Sequence, residues 1–505
     1  MIIKAGNINI SAINVPGGYV QVIPPPPVLQ GAPSNILGIV GTGKWGPVNS
    51  PVIGDYATGL NTFGSMGTQA NDIITQAFLA ALQGANNYRF VRVTDGTDIA
   101  AALTLMDVAG SPAIGATLTS FYTGTAGNGL RATITAGTAT GAYNLAISMP
   151  GQAPELFSNI TGAAGAFWSN LISAVNNGQS GIRGPSVIAI ASAGAGVAAP
   201  NTTATPAATG GVDGSTTITG TTLVGTDGTT RTGMYALRNT GCAVAMLCGG
   251  TDATTTWAAQ IAFANSEGLE IILAGAAGQS ISTAITAKAS AAVDDTCFKV
   301  LLGDWVYFLD TTNNQTRLVS PQGVCAGIRA TLSPEQSILN KPLYGIVATQ
   351  KTAANQIYSY ADLSSLGTAR IDVIGAPSPG GGYFSHLQGI NGSSNVVTMG
   401  DEYTTLTNYL SKSINQNIGI FVGRLQTPDE QGEAHDFIGD WLEGLKGIGM
   451  IQSFSVQLDA TNNPQNSIVQ GFQIANVMVQ YFGLVRYFIV NLIGGSSVQT
   501  TVKGA

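Results

Sequence analysis

Residues 36–43 read ILGIVGTG, and the fold turns on this stretch. Ile, Leu and Val follow one another without alternating with polar residues, the pattern of a strand buried on both faces in a helix-covered parallel sheet. Working outward, residues 71–82 put Ile73, Ile74, Ala77, Phe78 and Ala81 on one side of a helix, and YRFVRVTDG (88–96) reads as the next strand. Between Gly210 and about Val373 the strand-like runs CAVAMLC (242–248), LEIILAG (269–275), FKVLLGD (298–304) and WVYFLD (305–310) alternate with helical windows, so an α/β layer is predicted.

Between these two blocks the texture changes. Residues 98–203 are Thr-rich and Gly-punctuated, with short strands such as LRATITAG and YNLAISMPG and one helical segment at 167–175, a β-rich insertion. Residues 192–209, rich in Ala, Gly, Pro and Thr, read as a linker. Gly380-Gly381-Gly382 is a candidate boundary. Beyond it the pattern predicts a helix at 406–414, a strand at 418–425, a long helix at 429–446 and three strands. Phe454, Val456 and Leu458 share one face of the first; 472–480 and 484–493 are the others.

Both chain ends read as arms. Residues 8–22 alternate loosely around Pro16-Gly17-Gly18, and Pro24 to Pro27 form a polyproline II spacer of about 12 Å at roughly 3.1 Å per residue. The strand-competent positions are Ile8, Ile10, Ile13, Val15, Tyr19, Val20 and Val22. At the other end, SSVQTTVKGA (496–505) offers Val498, Thr500 and Val502 to an added strand.

Composition narrows the function. Charged residues make up 9% of the chain, against roughly 25% in average soluble domains, while glycine alone supplies 66 residues. A dispersed protein normally carries a charged surface, so this chain is expected to cover much of its surface with partners. A net charge of -7, with no cluster among the 20 basic residues, argues against nucleic acid. The opening MIIKAGNINI lacks an apolar signal core, and the apolar stretch 477–493 is interrupted by Gln480, Arg486 and Asn491, so no membrane insertion is expected. Cys242 and Cys248, about 20 Å apart along an extended strand, are expected to be buried free thiols.

Catalytic parts are scarce. GIVGTGK (38–44) fits the G-x-x-x-x-G-K phosphate-loop frame, but Trp45 replaces the magnesium-binding hydroxyl and Gly46-Pro47 blocks the following helix. His386 and His435 make no zinc or triad frame, and His435 stands beside Asp436 in an acidic helix. The pairs Asp294-Asp295 and Asp401-Glu402 read as loop charges. No catalytic residue, metal or cofactor is expected. In 429–446 an apolar stripe of Phe437, Ile438, Trp441, Leu442 and Leu445 is backed by Glu433, Asp436, Asp440 and Glu443, either a solvated face or a contact strip for a basic partner.

Taken in order, INVPGGYVQVIPPPP (13–27), ILGIVGTGKWGPVN (36–49), FYTGTAGNGLRATI (121–134), ELFSNI (155–160), GGVDG (210–214), VSPQGVCAGIRA (319–330), LNKPL (339–343) and QGIN (388–391) resemble the phage contractile tail sheath family over nearly the whole chain. The resemblance implies a multidomain α+β protein. It has an N-terminal arm and spacer (1–34), a discontinuous α/β middle domain (35–97 and 204–379), a β-rich protruding insertion (98–203), a tube-facing C-terminal α/β inner domain (380–495) and a C-terminal arm (496–505). It implies a structural virion subunit, assembled in the host cytoplasm, that stacks as hexameric rings round a tail tube, meets baseplate and tail terminator proteins, and contracts to drive the tube through the host envelope. The arms would exchange strands between subunits. The sheath of a phage-derived bacteriocin is the near alternative, and a phosphate-loop nucleotide-binding protein the distant one.

Overall fold

The computed structural model describes residues 2–3, 20–21, 28–163, 165–376, 382–490 and 492. The chain parts into two compact units, one of residues 31–413 and one of residues 414–505 with 1–30.

The larger unit is built on a six-stranded sheet in the order Phe298–Leu301, Glu270–Ala274, Val244–Leu247, Ile36–Gly41, Asn87–Arg92, Val52–Gly54. All neighbours are parallel except the edge strand Val52–Gly54. Ile36–Gly41 lies inside this sheet and is buried at every position. Leu37 and Ile39 face one side, where helices Ile73–Leu82 and Gln322–Thr331 pack. Ile36 and Val40 face the other, against Trp257, Ile261, Phe263 and Ala284 of helices Ala253–Glu267 and Ile281–Ala291. The unbroken apolar run follows from this two-sided burial.

The glycines of the phosphate-loop frame have a packing reason. A Cβ on Gly38 would come 2.8 Å from Leu237, and one on Gly41 would come 2.3 Å from the Asn71 carbonyl oxygen. That carbonyl accepts the Thr42 N–H at 2.8 Å, so the turn before helix Ile73–Leu82 fills the C-terminal end of the central strand. Sheets of this kind bind ligands at such a switch point. Lys44 Nζ donates to Ser65 Oγ at 3.0 Å and the Met66 carbonyl at 2.8 Å, and no helix follows it before Tyr56–Phe63. The phosphate-loop alternative is therefore corrected: Gly38–Lys44 folds as strand and turn.

Trp45 does a different job. Its ring is buried, its Nε1 donates to Ser120 Oγ at 2.8 Å, and it meets Tyr122 edge-on at 5.0 Å. Ser120 and Tyr122 belong to the β-rich insertion, which has two antiparallel three-stranded sheets. One orders Ala189–Ala193, Ile114–Ser120, Ala102–Met106; the other orders Glu155–Ile160, Tyr143–Ser148, Arg131–Ala136. Helix Gly165–Asn177 contributes Phe167, Trp168 and Leu171 to their shared core. Residues 192–209 are not a linker. Thr209 pairs with Ala102 and Ala207 with Arg131, Ala208 is buried, and the Ala208 N–H bonds the Leu130 carbonyl at 3.0 Å. Small side chains let this strip lie flat on both sheets.

Both chain crossings between sheet and insertion pass Arg92. Its Nη1 donates to the carbonyls of Gly46 at 2.9 Å and Thr123 at 2.8 Å, and its Nη2 to that of Asp213 at 3.1 Å. The Asp213 carboxylate accepts the Thr125 N–H at 2.6 Å, and the Asp95 N–H bonds the Gly214 carbonyl at 2.8 Å. The GGVDG stretch thus forms the joint.

Several expected elements shift. The helix expected at 406–414 runs Asp401–Asn417, and Asp401, read as a loop charge, is its fully buried first residue. The strand expected at 418–425 is instead a 3-10 turn, Ile418–Phe421. Of 472–480 only Asn476–Gln480 is strand, and among the described residues of 484–493 none is. Cys242 and Cys248 are buried free thiols, as expected, and so are Cys297 and Cys325. Among the described residues no helix is long and apolar enough to cross a membrane.

Gly211 is tightly packed in the joint: a Cβ there would come 2.3 Å from the Gly124 carbonyl oxygen. Gly211→Ala is expected to cost about 1–3 kcal/mol through overpacking, seen as a lower urea midpoint with an unchanged slope.

Candidate assembly surface

The smaller unit presents the expected acidic helix and an incomplete sheet. Helix Pro428–Gly447 starts where it should: the Thr427 side chain caps the Glu430 N–H, Pro428 sits in the first turn, and Asp429 and Glu430 lie at the positive end of the helix dipole. Ala434, Phe437, Ile438, Leu442 and Leu445 are buried and Trp441 is half-buried, so the apolar stripe read from the sequence does point inward.

The opposite face is unusual. At 3.6 residues per turn, Gly432, Gly439, Glu443, Asp436, Asp440 and Glu433 fall within an arc of about 120°. A Cβ on Gly432 or Gly439 would meet nothing within 4 Å. The four acidic candidates are all exposed but not equally free. Arg424 Nη1 contacts Glu430 and Glu433 at 3.0 Å each, and Lys446 contacts Glu443 at 3.0 Å. His435 Nδ1 lies 2.9 Å from Asp436. The strip is thus partly neutralised by its own subunit.

Under the helix lies an antiparallel pair, Ser453–Gln457 with Asn476–Gln480, in register Phe454 to Val479 and Val456 to Val477. These four side chains are half-buried, and the Lys446 ammonium stands 6.0 Å from the Phe454 ring centre. Asn463 ties the connection: its Nδ2 donates to the Ile474 carbonyl at 2.8 Å and its Oδ1 accepts the Ile474 N–H at 2.6 Å. Among the described residues this sheet has two strands, so the outer edge of each is unpaired. Two strands are marginal in water; a stable sheet needs a third or more. A hollow of about 920 Å³ also opens beside the helix, lined by Phe421, Val422, Leu425, Ile438, Ile468 and Phe472.

Past the sheet, residues 482–492 expose Phe482, Leu484, Val485, Tyr487, Phe488, Ile489, Val490 and Leu492, with Phe488 85% and Leu492 90% accessible. An apolar run this exposed marks an interaction surface. The pattern predicts a strand over 484–493, since β-prone apolar residues look the same whichever chain buries them. Of the arm positions, Val20 belongs to a two-residue parallel pairing of Val20–Gln21 with Ile2–Ile3. Ile8, Ile10, Ile13, Val15, Tyr19, Val22, Val498, Thr500 and Val502 lie outside the described residues. Among the described residues no group of His, Cys, Asp and Glu is placed to hold a metal ion.

No protein-family model matches the chain, and no curated protein does. Its fold is that of a contractile-tail sheath protein. The sheath tail protein of Desulfitobacterium hafniense superposes with a TM-score of 0.56 at 14% identity, covering 88% of this chain and 94% of that one. A chain of the anti-feeding prophage baseplate in the contracted state gives 0.43 at 14% identity over 50% and 72% of the two chains. One from the contracted sheath of an extracellular contractile injection system gives 0.39 at 14% over 45% and 64%. The first likeness establishes the fold; no weight rests on the other two.

The open glycine face makes a simple expectation. Gly439→Ala in the isolated subunit should gain about 0.5–1 kcal/mol from helix propensity, since the added methyl displaces nothing; chemical denaturation measures it.

Proposed function

We propose that this protein is the sheath subunit of a contractile tail, a structural protein whose work is done by joining copies of itself. The observation that carries this is a sheet that, among the described residues, has two strands with both outer edges unpaired, followed by an exposed, β-prone apolar run at 482–492, in a chain that shares its fold with a sheath tail protein.

The chemistry of the join follows from the composition. With 9% charged residues the chain has few ion pairs to offer, whereas strand addition uses backbone N–H and C=O groups. An added strand makes four to six hydrogen bonds at a net ~1 kcal/mol each, and burying side chains such as Phe488 and Ile489 adds about 1.5–3 kcal/mol apiece. Ordering the arm costs ~1 kcal/mol per residue. One join is modest; two per subunit, closed into rings, hold a lattice. The N-terminal segment around Val20 and the C-terminal segment are the proposed donors. Residues 482–492 supply the apolar contacts, and Val498, Thr500 and Val502 continue the strand.

On this reading residues 380–495 form the inner domain facing a tail tube, 98–203 protrude outward, and 35–97 with 204–379 form the middle domain. The face of Gly432, Asp436, Gly439 and Asp440 is the proposed tube contact, its glycines admitting close approach and its carboxylates a basic surface. Rings of six, baseplate and terminator contacts, and contraction that drives the tube through a host envelope complete the proposal. A phage-derived bacteriocin or injection machine would use the same subunit chemistry.

Electron microscopy of the purified protein tests it. The full chain should form hollow striated cylinders. A chain lacking residues 1–22, and a Phe488→Ser/Ile489→Ser double variant, should stay folded by circular dichroism and fail to form them. Cylinders unaltered in both variants would refute the strand-exchange reading.

A further inference from the structure

Six titratable side chains with no exposed surface lie in a single file through the larger unit. Glu270 Oε2 stands 3.6 Å from Arg329 Nε, and Arg329 Nη1 3.8 Å from Asp401 Oδ2. The same Asp401 oxygen is 3.4 Å from Lys299 Nζ, which is 3.3 Å from Asp372 Oδ2, itself 3.2 Å from His386 Nδ1. Each comes from a different element: strands Glu270–Ala274, Phe298–Leu301 and Ser385–His386, helices Gln322–Thr331 and Asp401–Asn417, and the segment at 372. Cys325 also faces the file, where burial pushes its thiol pKa well up, so it adds no charge. Ser337 Oγ donates to Asp401 at 2.6 Å and Thr405 Oγ1 accepts from Arg329 at 2.9 Å.

Charges alternate along this file. The inner four, Arg329, Asp401, Lys299 and Asp372, cancel, which leaves the ends, Glu270 and His386. With both ends deprotonated the file carries one uncompensated negative charge in a dry interior, a costly state; one proton at the ends restores neutrality. Glu270 is the end built to take it. Neither of its oxygens accepts a hydrogen bond, and its nearest cation is no closer than 3.6 Å. Asp401 by contrast accepts from Ser337, the Ile338 N–H and the Glu402 N–H, and Asp372 from the N–H groups of Val373 and Gln388.

We propose that this file is a proton-held latch: a proton on Glu270 keeps the six groups neutral and the first turns of helix Asp401–Asn417 seated on the sheet, and its loss loosens that seat. Burial, opposed by Arg329 and Lys299, pushes the Glu270 carboxyl up to about 7. Burial also works against the Asp372 anion, but the Lys299 ammonium opposes it and that carboxyl is held at about 2. Since the folded value of Glu270 lies above its ordinary 4.5, the stability it contributes is full below pH 4.5 and is lost as the pH rises through about 7.

Thermal and urea unfolding of the full chain and of Glu270→Gln at pH 5 and pH 8 tests the latch. At pH 5 the two unfolding constants should lie within about fourfold of each other. At pH 8 the variant's unfolding constant should be smaller by up to about 300-fold, the factor set by the difference between 7 and 4.5. Should the variant not fold, infrared spectra of unaltered protein with carboxyl-labelled glutamate serve instead: a protonated-acid band must persist at pH 6 and vanish by pH 9. Parallel pH profiles of the two proteins, or no such band at pH 6, overturns the proposal. Hydrogen exchange at residues 404–410, corrected for intrinsic rate, should accelerate between pH 6 and pH 8; unchanged protection overturns the link to the helix.

Discussion

Burial of Ile36–Gly41 on both faces is the constraint from which the larger unit follows. A strand flanked by Val244–Leu247 and Asn87–Arg92 has no wet side, so helices must cover the sheet above and below. That need accounts for the helices Ile73–Leu82 and Gln322–Thr331 on one face and Ala253–Glu267 and Ile281–Ala291 on the other. It also explains the glycines at 38 and 41, which give room to Leu237 and the Asn71 carbonyl. The same packing closes the place where a doubly wound sheet would open a ligand crevice.

Charge is used sparingly and in two contrasting ways. Inside, six groups alternate in sign along a line from Glu270 to His386 and tie five secondary-structure elements and the segment at 372 together. Outside, the carboxylates of helix Pro428–Gly447 share an open face with Gly432 and Gly439. Neither resembles the evenly mixed surface of a freely diffusing protein. What the smaller unit offers instead, among the described residues, is backbone: a two-stranded sheet with unpaired outer edges and an exposed apolar run at 482–492.

Periodicity made the strand at 36–41, the helix at 73–82 and the apolar stripe of 428–447 legible, because there the local pattern and the tertiary environment agree. Elsewhere they part. Asp401-Glu402 looked like loop charges because sequence cannot say that Lys299 and Arg329 lie opposite. Residues 192–209 looked like a linker because the small residues that suit a flexible tether also suit a strip lying flat on two sheets. The run at 484–493 has strand composition, yet none of its described residues is strand, because composition alone does not supply a pairing partner. The acidic strip was visible, but its partial neutralisation by Arg424 and Lys446 was not.

The joint at Arg92 has a consequence for how such a chain changes over time. The backbone leaves for the insertion at Asp95 and returns at Gly214, and those two residues share a hydrogen bond of 2.8 Å. Departure and return are thus next-door neighbours, and what lies between has a core of its own, to which Trp45 is added from outside. A lineage can enlarge, exchange or discard that module by rejoining two adjacent ends, leaving the sheet beneath undisturbed. The insertion is free to diversify while the sheet that carries it stays fixed.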